Sequence, residues 1–382
     1  MKKIFYVAAA FLAAGFVSCS ENNGDDFTAP VAGSDLAPIR FDLGSARVNV
    51  EQKSAATRGK GAVGDVDAAN NKWNGEELKV YMFEKGSLKL AKDETGDATK
   101  ALFNNEPIIA TAGAEVVEVS TQKYYPMQGQ FDFFAYHADD AIAGEVAVAA
   151  DVYTLPVKID GSQDLMVAKA DLKDGQVDLL GATRTDDYYS AYSSRRGINP
   201  HFAFQHLLTR FTFQVKADAD VDVDNVTIYA VEVADANTTA NMVVAYVDAP
   251  AELLADQATP AKVSLKGIDA DGVNPSKDNF AKVGESLLLM PQVSYNVKFT
   301  IKQTINGETH DISYPVTLSA AELGIGQGAF EAGKQYNVNL TLYGLSEIKL
   351  ELKLTPWVDG GDINVDDDAD DPVIWVDPAA RN

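Results

Sequence analysis

Apolar and polar residues alternate with a period of two along most of the chain beyond residue 37. The clearest example lies in residues 131–136, where Phe131 and Phe133 share one parity and Phe134 and Tyr136 share the other. Successive side chains of a strand point to opposite faces, so this run predicts a strand with an aromatic pair on each face. Further strands are predicted at residues 226–231, 286–290, 295–301, 336–343 and 348–354. Helical periodicity is nearly absent, with a single helical turn predicted at residues 319–323, so the pattern predicts an all-β protein built from sandwiches.

Two local patterns add detail to the predicted strands. Residues 80–82 and 88–90 place apolar side chains on either side of the turn-forming residues 84–87, which predicts a hairpin. The apolar parity reverses between Leu208 and Phe211, and this reversal predicts a bulge or a crossing between sheets.

The strand-rich sequence is interrupted once, at residues 186–197. This stretch has no apolar period and contains many turn-forming residues, which predicts a domain boundary near residues 195–205. We therefore expect an N-terminal sandwich at residues 59–200 and a C-terminal one at residues 201–382. Each half is a comfortable size for one sandwich core.

Composition excludes several classes of partner. The chain has 382 residues, of which 46% are hydrophobic, and its 32 basic and 56 acidic side chains give a net charge of −24. A phosphate backbone would be repelled by this charge, so we expect no nucleic acid partner. An anionic membrane surface is excluded as an electrostatic partner for the same reason.

The single cysteine of the chain lies at the end of an export signal. Residues 1–18 combine Lys2 and Lys3 with an apolar run too short to span a bilayer. Ser18 precedes Cys19, a pattern that resembles a bacterial lipobox, although residues 16 and 17 depart from its commonest form. We predict cleavage between Ser18 and Cys19 and lipidation of Cys19, with an outer-membrane anchor for the precursor. The alternative is an ordinary secretory signal next to a chance cysteine. Residues 19–36 are polar and predict a flexible tether.

No catalytic constellation is present in the sequence. The four histidines lie on different segments without metal-binding spacing, and no nucleophile-elbow, phosphate-loop or dinucleotide motif occurs. His206 lies between Phe204 and Leu208 on an apolar face, which favours a hydrogen-bonded core histidine over a ligand. We therefore expect no enzymatic activity, no cofactor and no bound metal.

The C-terminal tail carries an unusual pair of features. Five aspartates within residues 366–371 precede Val373, Ile374, Trp375 and Val376. The acidic run favours a solvated spacer over a calcium site. Four consecutive apolar β-formers near a free terminus are an aggregation hazard unless they occupy a groove. The tail either fills such a groove elsewhere or packs on its own domain.

Five separated motifs, taken in order, resemble those of one family. They are Asp-Leu-Met-Val-Ala at residues 164–168, Phe-Ala-Phe-Gln-His-Leu-Leu at 202–208, Leu-Leu-Leu-Met-Pro-Gln at 287–292, Phe-Glu-Ala-Gly-Lys-Gln-Tyr at 330–336 and Pro-Trp-Val-Asp-Gly-Gly at 356–361. Together they resemble the fimbrillin family, the pilins and pilin-like lipoproteins of Bacteroidales type V pili. The likeness extends from the lipobox to Trp357.

The resemblance implies two tandem transthyretin-like β-sandwiches in a subunit of a surface fimbria with a role in adhesion. In this family an arginine-specific protease removes an N-terminal leader, and a strand of the next subunit fills the exposed groove. Here the leader corresponds to residues 37–58, with candidate strands at 39–43 and 48–50, and cleavage between Arg58 and Gly59. The donor is Val373–Val376, and the partners are other fimbrillin subunits. The alternative for Arg58 is a solvated loop charge.

A second function class remains open on the sequence alone. A surface glycan-binding lipoprotein of a nutrient-uptake system would need exposed aromatic platforms with polar neighbours. The candidate platforms are five loop tyrosines, Tyr124, Tyr125, Tyr188, Tyr189 and Tyr192. Within a fimbria, stalk, tip and anchor positions also remain open.

Overall fold

Strands make up nearly all the regular secondary structure, which confirms the all-β class. The computed structural model describes residues 36–43, 73, 75–93, 100–110, 116–117, 119, 121–173, 175–180, 189–219, 221–255, 260–305, 307–325, 328–343, 348–356 and 373–376. The first ten strands are β1 (Phe41–Leu43), β2 (Glu76–Glu84), β3 (Glu106–Ala110), β4 (Val116–Val117), β5 (Phe131–His137), β6 (Ala147–Val148), β7 (Val152–Lys158), β8 (Met166–Asp171), β9 (His201–Phe202) and β10 (Gln205–His206).

The later part of the chain adds eleven strands to these. They are β11 (Thr209–Ala217), β12 (Val226–Ala236), β13 (Thr239–Tyr246), β14 (Leu253–Ala255), β15 (Ala261–Ser264), β16 (Ala281–Leu289), β17 (Ser294–Ile305), β18 (Glu308–Ser319), β19 (Lys334–Leu342), β20 (Ile348–Pro356) and β21 (Val373–Val376). Among the described residues, helices are limited to α1 (Gln176–Leu180), α2 (Ala191–Ser194) and a 3₁₀ turn at Val223–Asn225. The strands predicted for the second half are confirmed as β12, β16, β17, β19 and β20. The predicted ranges lie within these strands except for residues 290 and 343, and the strands are longer than predicted.

Sheet I curls around an apolar core. Its order is β3-β2-β5-β8-β9-β1-β4, with β10 paired to β8, and its two end strands, β3 and β4, lie close together. The enclosed first core includes Phe41, Phe103, Phe133 and Phe202, all fully buried. Strand β1 is therefore part of the wall around this core.

Sheet I also buries its other face. It packs there on sheet II, whose order is β14-β13-β7-β6, and the two sheets enclose the second core. Strand β5 contributes Phe131 and Phe133 to the first core and Phe134 and Tyr136 to the second. The predicted division of this aromatic run between two faces is confirmed.

Sheet II joins strands from both halves of the sequence. Strand β13 pairs antiparallel with β7, with Met242 opposite Leu155, and both side chains belong to the second core. The division predicted near residues 195–205 therefore does not separate the sheets. Residues Ala37–Asn382 form one compact unit, and two separate domains are not confirmed.

Sheets III and IV form the C-terminal sandwich. Their orders are β16-β11-β19-β20-β21 and β15-β12-β17-β18, and the third core lies between them. Phe211, Phe213 and Phe299 are central to this core, with Tyr336 and Leu340 of β19. Strand β11 runs parallel to β19 and antiparallel to β16.

The predicted parity reversal marks a crossing from one sheet to another. Strand β10 pairs with β8 in sheet I, and β11 then enters sheet III. Phe204 lies in the first core, Leu208 in the second and Phe211 in the third. The crossing is therefore confirmed.

The two predicted turns are also present. The hairpin turn after β2 closes through the Glu84 amide, which donates to the Lys89 carbonyl at 2.8 Å. A single helical turn follows β18, where the Leu323 amide donates to the Ser319 carbonyl at 3.0 Å.

Candidate functional site

Residues 37–43, which we call the leader strand, bury alternate side chains in the first core. Ala37, Ile39, Phe41 and Leu43 are each no more than 5% exposed, whereas Arg40 between them is exposed. This is the period of two that a strand imposes. One face of the leader strand therefore completes the first core.

The backbone of the leader strand is hydrogen-bonded on both sides. The Ile39 amide donates to the Lys123 carbonyl and the Tyr125 amide donates to the Ala37 carbonyl, each at 2.9 Å. Further along, β1 pairs antiparallel with β4 and parallel with β9, and the Asp42 amide donates to the Pro200 carbonyl at 2.8 Å. The leader strand is thus an interior strand of sheet I.

Phe41 is the largest side chain of the leader strand. Its ring lies 5.3 Å from that of Phe103, 5.6 Å from Phe133 and 5.5 Å from Phe202, measured between centroids. Aromatic pairs at such distances add to the stabilisation from burial. Loss of this one ring would leave a cavity surrounded by three phenylalanines.

Asp42 points away from the first core and forms a polar cluster with Lys173 and His201. Its carboxylate makes an ion pair with the Lys173 ammonium, and its Oδ1 lies 3.6 Å from His201 Nδ1. The Asp42 side chain is 10% exposed, against 38% for Lys173. Burial lowers the pKa of His201, and although Asp42 raises it, Lys173 lowers it further, so the net shift is downward. The cluster therefore ties a short apolar strand to its neighbours by charge.

A second polar cluster borders a cavity of about 190 Å³ at the edge of sheet I. His137 Nδ1 donates to the Glu77 carbonyl at 2.9 Å, and Nε2 lies 3.1 Å from Asp139 Oδ1. Burial alone would lower the pKa of His137, but Asp139 and the Glu77 carbonyl together raise it. The described residues that line the cavity include no serine, threonine or cysteine, so the histidine has no hydroxyl or thiol nucleophile to activate there.

His206 is a hydrogen-bonded core residue, as predicted. It is 4% exposed, and its Nδ1 lies 3.1 Å from Asp164 Oδ1. This contact brings together two of the family-like motifs, which are separated by about forty residues. The Gly333 amide donates to the Leu208 carbonyl at 2.9 Å, so a third motif joins them. These three motifs therefore meet where the chain passes from sheet I to sheet III.

The predicted processing residues fall mostly in parts of the chain that the structure does not describe. Ser18, Cys19, Arg58 and Gly59 lie outside the described residues, as do residues 48–50. The predicted donor segment forms β21, which pairs antiparallel with β20 at the end of sheet III. Within this single chain, the tail thus adds a strand to its own sandwich.

Two of the tyrosines predicted as aromatic platforms are buried in the structure. Tyr125 and Tyr189 are 3% and 2% exposed and belong to the first core, so neither can stack on a ligand. The Tyr192 ring is covered by the Arg196 guanidinium, whose carbon lies 3.4 Å from the ring centroid. Tyr124 is 39% exposed, and Tyr188 lies outside the described residues. Burial therefore removes Tyr125 from the candidate pair with Tyr124, and Tyr189 from the candidate set with Tyr188 and Tyr192.

Sequence reasoning did not find the Asp42 cluster. Lys173 and His201 follow Asp42 by more than 130 positions, and nothing local in the chain links them. The only signal was a carboxylate between two apolar residues of a strand, at positions 41–43.

Neither metal nor membrane sites emerge within the described ranges. There, no three His, Cys, Asp or Glu side chains are grouped so as to hold a metal ion. None of the described helices has the length and apolar character needed to cross a bilayer.

A family model described as fimbrillin-like matches residues 67–357, about three quarters of the sequence. The chain belongs to the fimbrillin-like family. No curated protein matches it significantly by sequence. Membership supports a fimbrial subunit that acts at the cell surface with other subunits.

Solved structures give a weaker likeness to this fimbrillin-like chain. A fimbrial protein from Bacteroides vulgatus ATCC 8482 is 13% identical, with 84% of this chain and 99% of that chain covered and a TM-score of 0.49. The fimbrial anchor protein Mfa2 from Porphyromonas gingivalis is also 13% identical, with 84% and 98% covered and a TM-score of 0.36. TM-scores below 0.5 indicate only a general likeness, so the family assignment depends on the sequence model.

Proposed function

We propose that this fimbrillin-like protein is a structural or tip subunit of a surface fimbria, assembled by protease-triggered donor-strand exchange with a role in adhesion. The observation that carries the proposal is the leader strand. It fills the first core and is hydrogen-bonded on both sides, yet it comes before all other described strands in the sequence. A single cleavage between Leu43 and Trp73 would therefore detach it covalently.

Loss of the leader strand would leave a groove that needs a strand to fill it. The backbone groups of β9 and β4 that face β1 would lose their partners, and the apolar side chains of the first core would be exposed. Such an edge is a template for β-augmentation by an extended segment of another chain. The same groove that is closed in the precursor becomes the acceptor in the mature subunit.

Arg58 is the proposed cleavage site, in the sequence Thr-Arg-Gly. Trp73 follows it and is 3% exposed, and its ring lies 4.9 Å from that of Phe204 and 6.2 Å from that of His137. Because Trp73 is anchored in the fold, a cut at Arg58 would leave β2 in place. Cleavage by an arginine-specific protease would then open the groove without unravelling sheet I.

Val373–Val376 is the proposed donor. It is the end strand of sheet III and has one neighbour there, β20, so it can leave without interrupting the rest of the sheet. A tail that enters the next subunit makes a head-to-tail contact, and such a contact repeats without end when its rotation does not close a ring. The product is a filament.

Lipidation of Cys19 would hold the precursor at the outer membrane before assembly. The acyl chain provides the anchor, and the polar residues 19–36 separate the folded unit from it. Cleavage at Arg58 removes the anchor together with the leader strand. Release from the membrane and opening of the groove would thus be one event.

The test is to treat the purified precursor with an arginine-specific protease and follow its mass on SDS gels. Ladders of SDS-resistant polymers are expected for the wild type. They should be absent for Arg58→Ala and for a chain that lacks residues 372–382. Clean cleavage at Arg58 with no change in the mass distribution would contradict the proposal.

A further inference from the structure

The leader strand and the tail share a short sequence pattern. Residues 39–42 are Ile-Arg-Phe-Asp, and residues 374–377 are Ile-Trp-Val-Asp. Both have the form isoleucine, variable residue, apolar residue, aspartate. In the leader strand the first and third of these side chains are buried, and the aspartate forms the Asp42 cluster.

We propose that Asp377 of the tail takes the place of Asp42 on the next subunit, pairs with Lys173 and His201 there, and so fixes the register of the donor strand. This inference rests on the donor-strand exchange proposed above. It assigns a specificity-determining residue to that exchange. The recognised partner is the tail of a second copy of this chain.

The apolar pattern of the tail fits this alignment. With Asp377 on the Asp42 position, Ile374 takes the position of Ile39 and Val376 that of Phe41. Pro372 and Pro378 take the flanking core positions of Ala37 and Leu43, and the acidic residue 371 stays outside the groove. All four positions of the leader strand that face the first core thus receive an apolar side chain.

A slip by one residue in either direction is excluded by charge. One such slip places Asp377 at the Leu43 position, which is 5% exposed, and the other places it at the Phe41 position, which is fully buried. A carboxylate without a partner in an apolar core carries a large desolvation cost. A one-residue slip also moves the buried set to the wrong face of the strand.

A slip by two residues differs from the proposed alignment in the tail residue that it places at the Asp42 position. Sliding the tail one way by two residues still buries apolar side chains but sets Ala379 against Lys173. Sliding it the other way sets Trp375 there and brings Asp370 to the Ala37 position, which is 1% exposed. Only the alignment of Asp377 with Asp42 satisfies both the core and the Lys173 ammonium.

The backbone agrees with the same alignment. Among the hydrogen bonds outside the strand ladders, the leader amides of Ile39 and Asp42 donate to neighbouring segments. Their counterparts, Ile374 and Asp377, both keep an N–H group, although prolines stand at positions 372 and 378 of the tail. The donor strand can therefore repeat both bonds.

The ion pair with Lys173 contributes a larger share of the binding of the donor strand than of the leader strand. Val376 is smaller than the Phe41 ring it replaces and fills less of the space between Phe103, Phe133 and Phe202. After leader removal, Lys173 and His201 lack the carboxylate that balanced them. Asp377 supplies it, and a charged pair across an interface discriminates strongly against wrong partners.

The test compares assembly rates of full-length precursors after cleavage by an arginine-specific protease. Asp377→Lys is expected to slow the growth of SDS-resistant ladders about tenfold, because it sets two cations together. Asp371→Lys is the matched control, since it changes the charge of the same tail by the same amount at a position outside the groove. The triple exchange Asp42→Lys, Lys173→Glu and Asp377→Lys restores complementarity for both strands and should recover the wild-type rate.

The outcomes separate this inference from the proposed function. If the wild type forms ladders and Asp377→Lys forms them equally fast, Asp377 does not set the register. The inference is also wrong if Asp371→Lys slows assembly as much as Asp377→Lys, or if the triple exchange gives no rescue. Absence of ladders in the wild type would instead overturn donor-strand exchange itself. Mass spectrometry of the cleaved chain confirms in each case that the leader has been cut.

Discussion

The leader strand of sheet I and strand β19 of sheet III are both interior strands, but they are held in different ways. Strand β19 is in register with β11 over eight positions and with β20 over nine. Strand β1 has two register pairs with β4 and two with β9. Both contribute one face to a core, β1 through Phe41 and Leu43 and β19 through Tyr336, Val338, Leu340 and Leu342. The leader strand is therefore held in its sheet mainly by its side chains, whereas β19 is also held by a long ladder of backbone hydrogen bonds.

This difference indicates which strand can be exchanged. A strand held mainly by side chains in a preformed groove can be replaced by another with a similar pattern, because the groove specifies size and charge and requires few backbone bonds. A strand in the middle of long ladders on both sides cannot leave without disrupting the sheet.

Phe41→Ala should have the largest effect. Removing a buried phenylalanine costs about 3–5 kcal/mol in the free energy of unfolding, and chemical denaturation of the uncleaved chain would measure it. Arg40→Ala is the control, since Arg40 is exposed on the same strand. A loss below about 1 kcal/mol for Phe41→Ala would show that side-chain burial does not hold the leader strand.

Gly161→Ala tests whether the two regions are joined. A Cβ at Gly161 would lie 2.5 Å from Val263 and 2.7 Å from Leu287, which belong to the third core. Gly175 has a similar positive φ, +81° against +90°, but open space around it. Gly161→Ala should therefore cost about 1–3 kcal/mol more than Gly175→Ala because of overpacking. Equal costs would mean that only backbone strain matters at this junction.

Asp42→Asn isolates the charge that holds the leader strand. Because Lys173 is partly exposed, solvent screens the ion pair, and we expect a loss of about 1 kcal/mol in the uncleaved chain. High salt should reduce the difference between the variant and the wild type. An unchanged unfolding midpoint at low salt would argue that Asp42 adds register but no stability.

The smallest expected effect is a pair of opposite pH dependences. The pKa of His137 is raised from its ordinary 6.5, so its stabilising contribution is full at acidic pH and is lost as pH rises through the folded pKa. The pKa of His201 is lowered, so the unfolded chain binds its proton more readily and stability falls as pH drops below 6.5.

Unfolding measured between pH 5 and 8 separates the two histidines. His137→Gln should remove the loss of stability on the alkaline side, and His201→Gln should remove the loss on the acidic side. Slopes of the same sign for the two variants would contradict these assignments.

Period-two patterning predicted the faces of strands but not their partners. It identified the two faces of Phe131–Tyr136 and the crossing between Leu208 and Phe211, because both depend on neighbouring residues. It did not predict that β13 returns to pair with β7. Alternation shows only that a strand has a buried face, and any sheet with an apolar surface satisfies that requirement.

In the candidate site, too, the sequence predicted what depends on neighbouring residues and missed what depends on distant ones. The burial of Ile39 and Phe41 follows from the alternating sequence of the leader strand. The ion pair of Asp42 with Lys173 does not, because it depends on the position of residues more than 130 places away. Local pattern therefore predicted the apolar half of the site and missed its charged half.

The return of β13 has a consequence for the order in which the protein folds. The chain is made from its N-terminus, and the edge of β7 that pairs with β13 has no partner strand until residues 239–246 have emerged. The second core also needs Leu288 and Met290. The N-terminal sandwich is therefore completed late, by long-range contacts that slow folding. A truncated chain that ends near residue 200 would leave this strand edge unpaired and would aggregate.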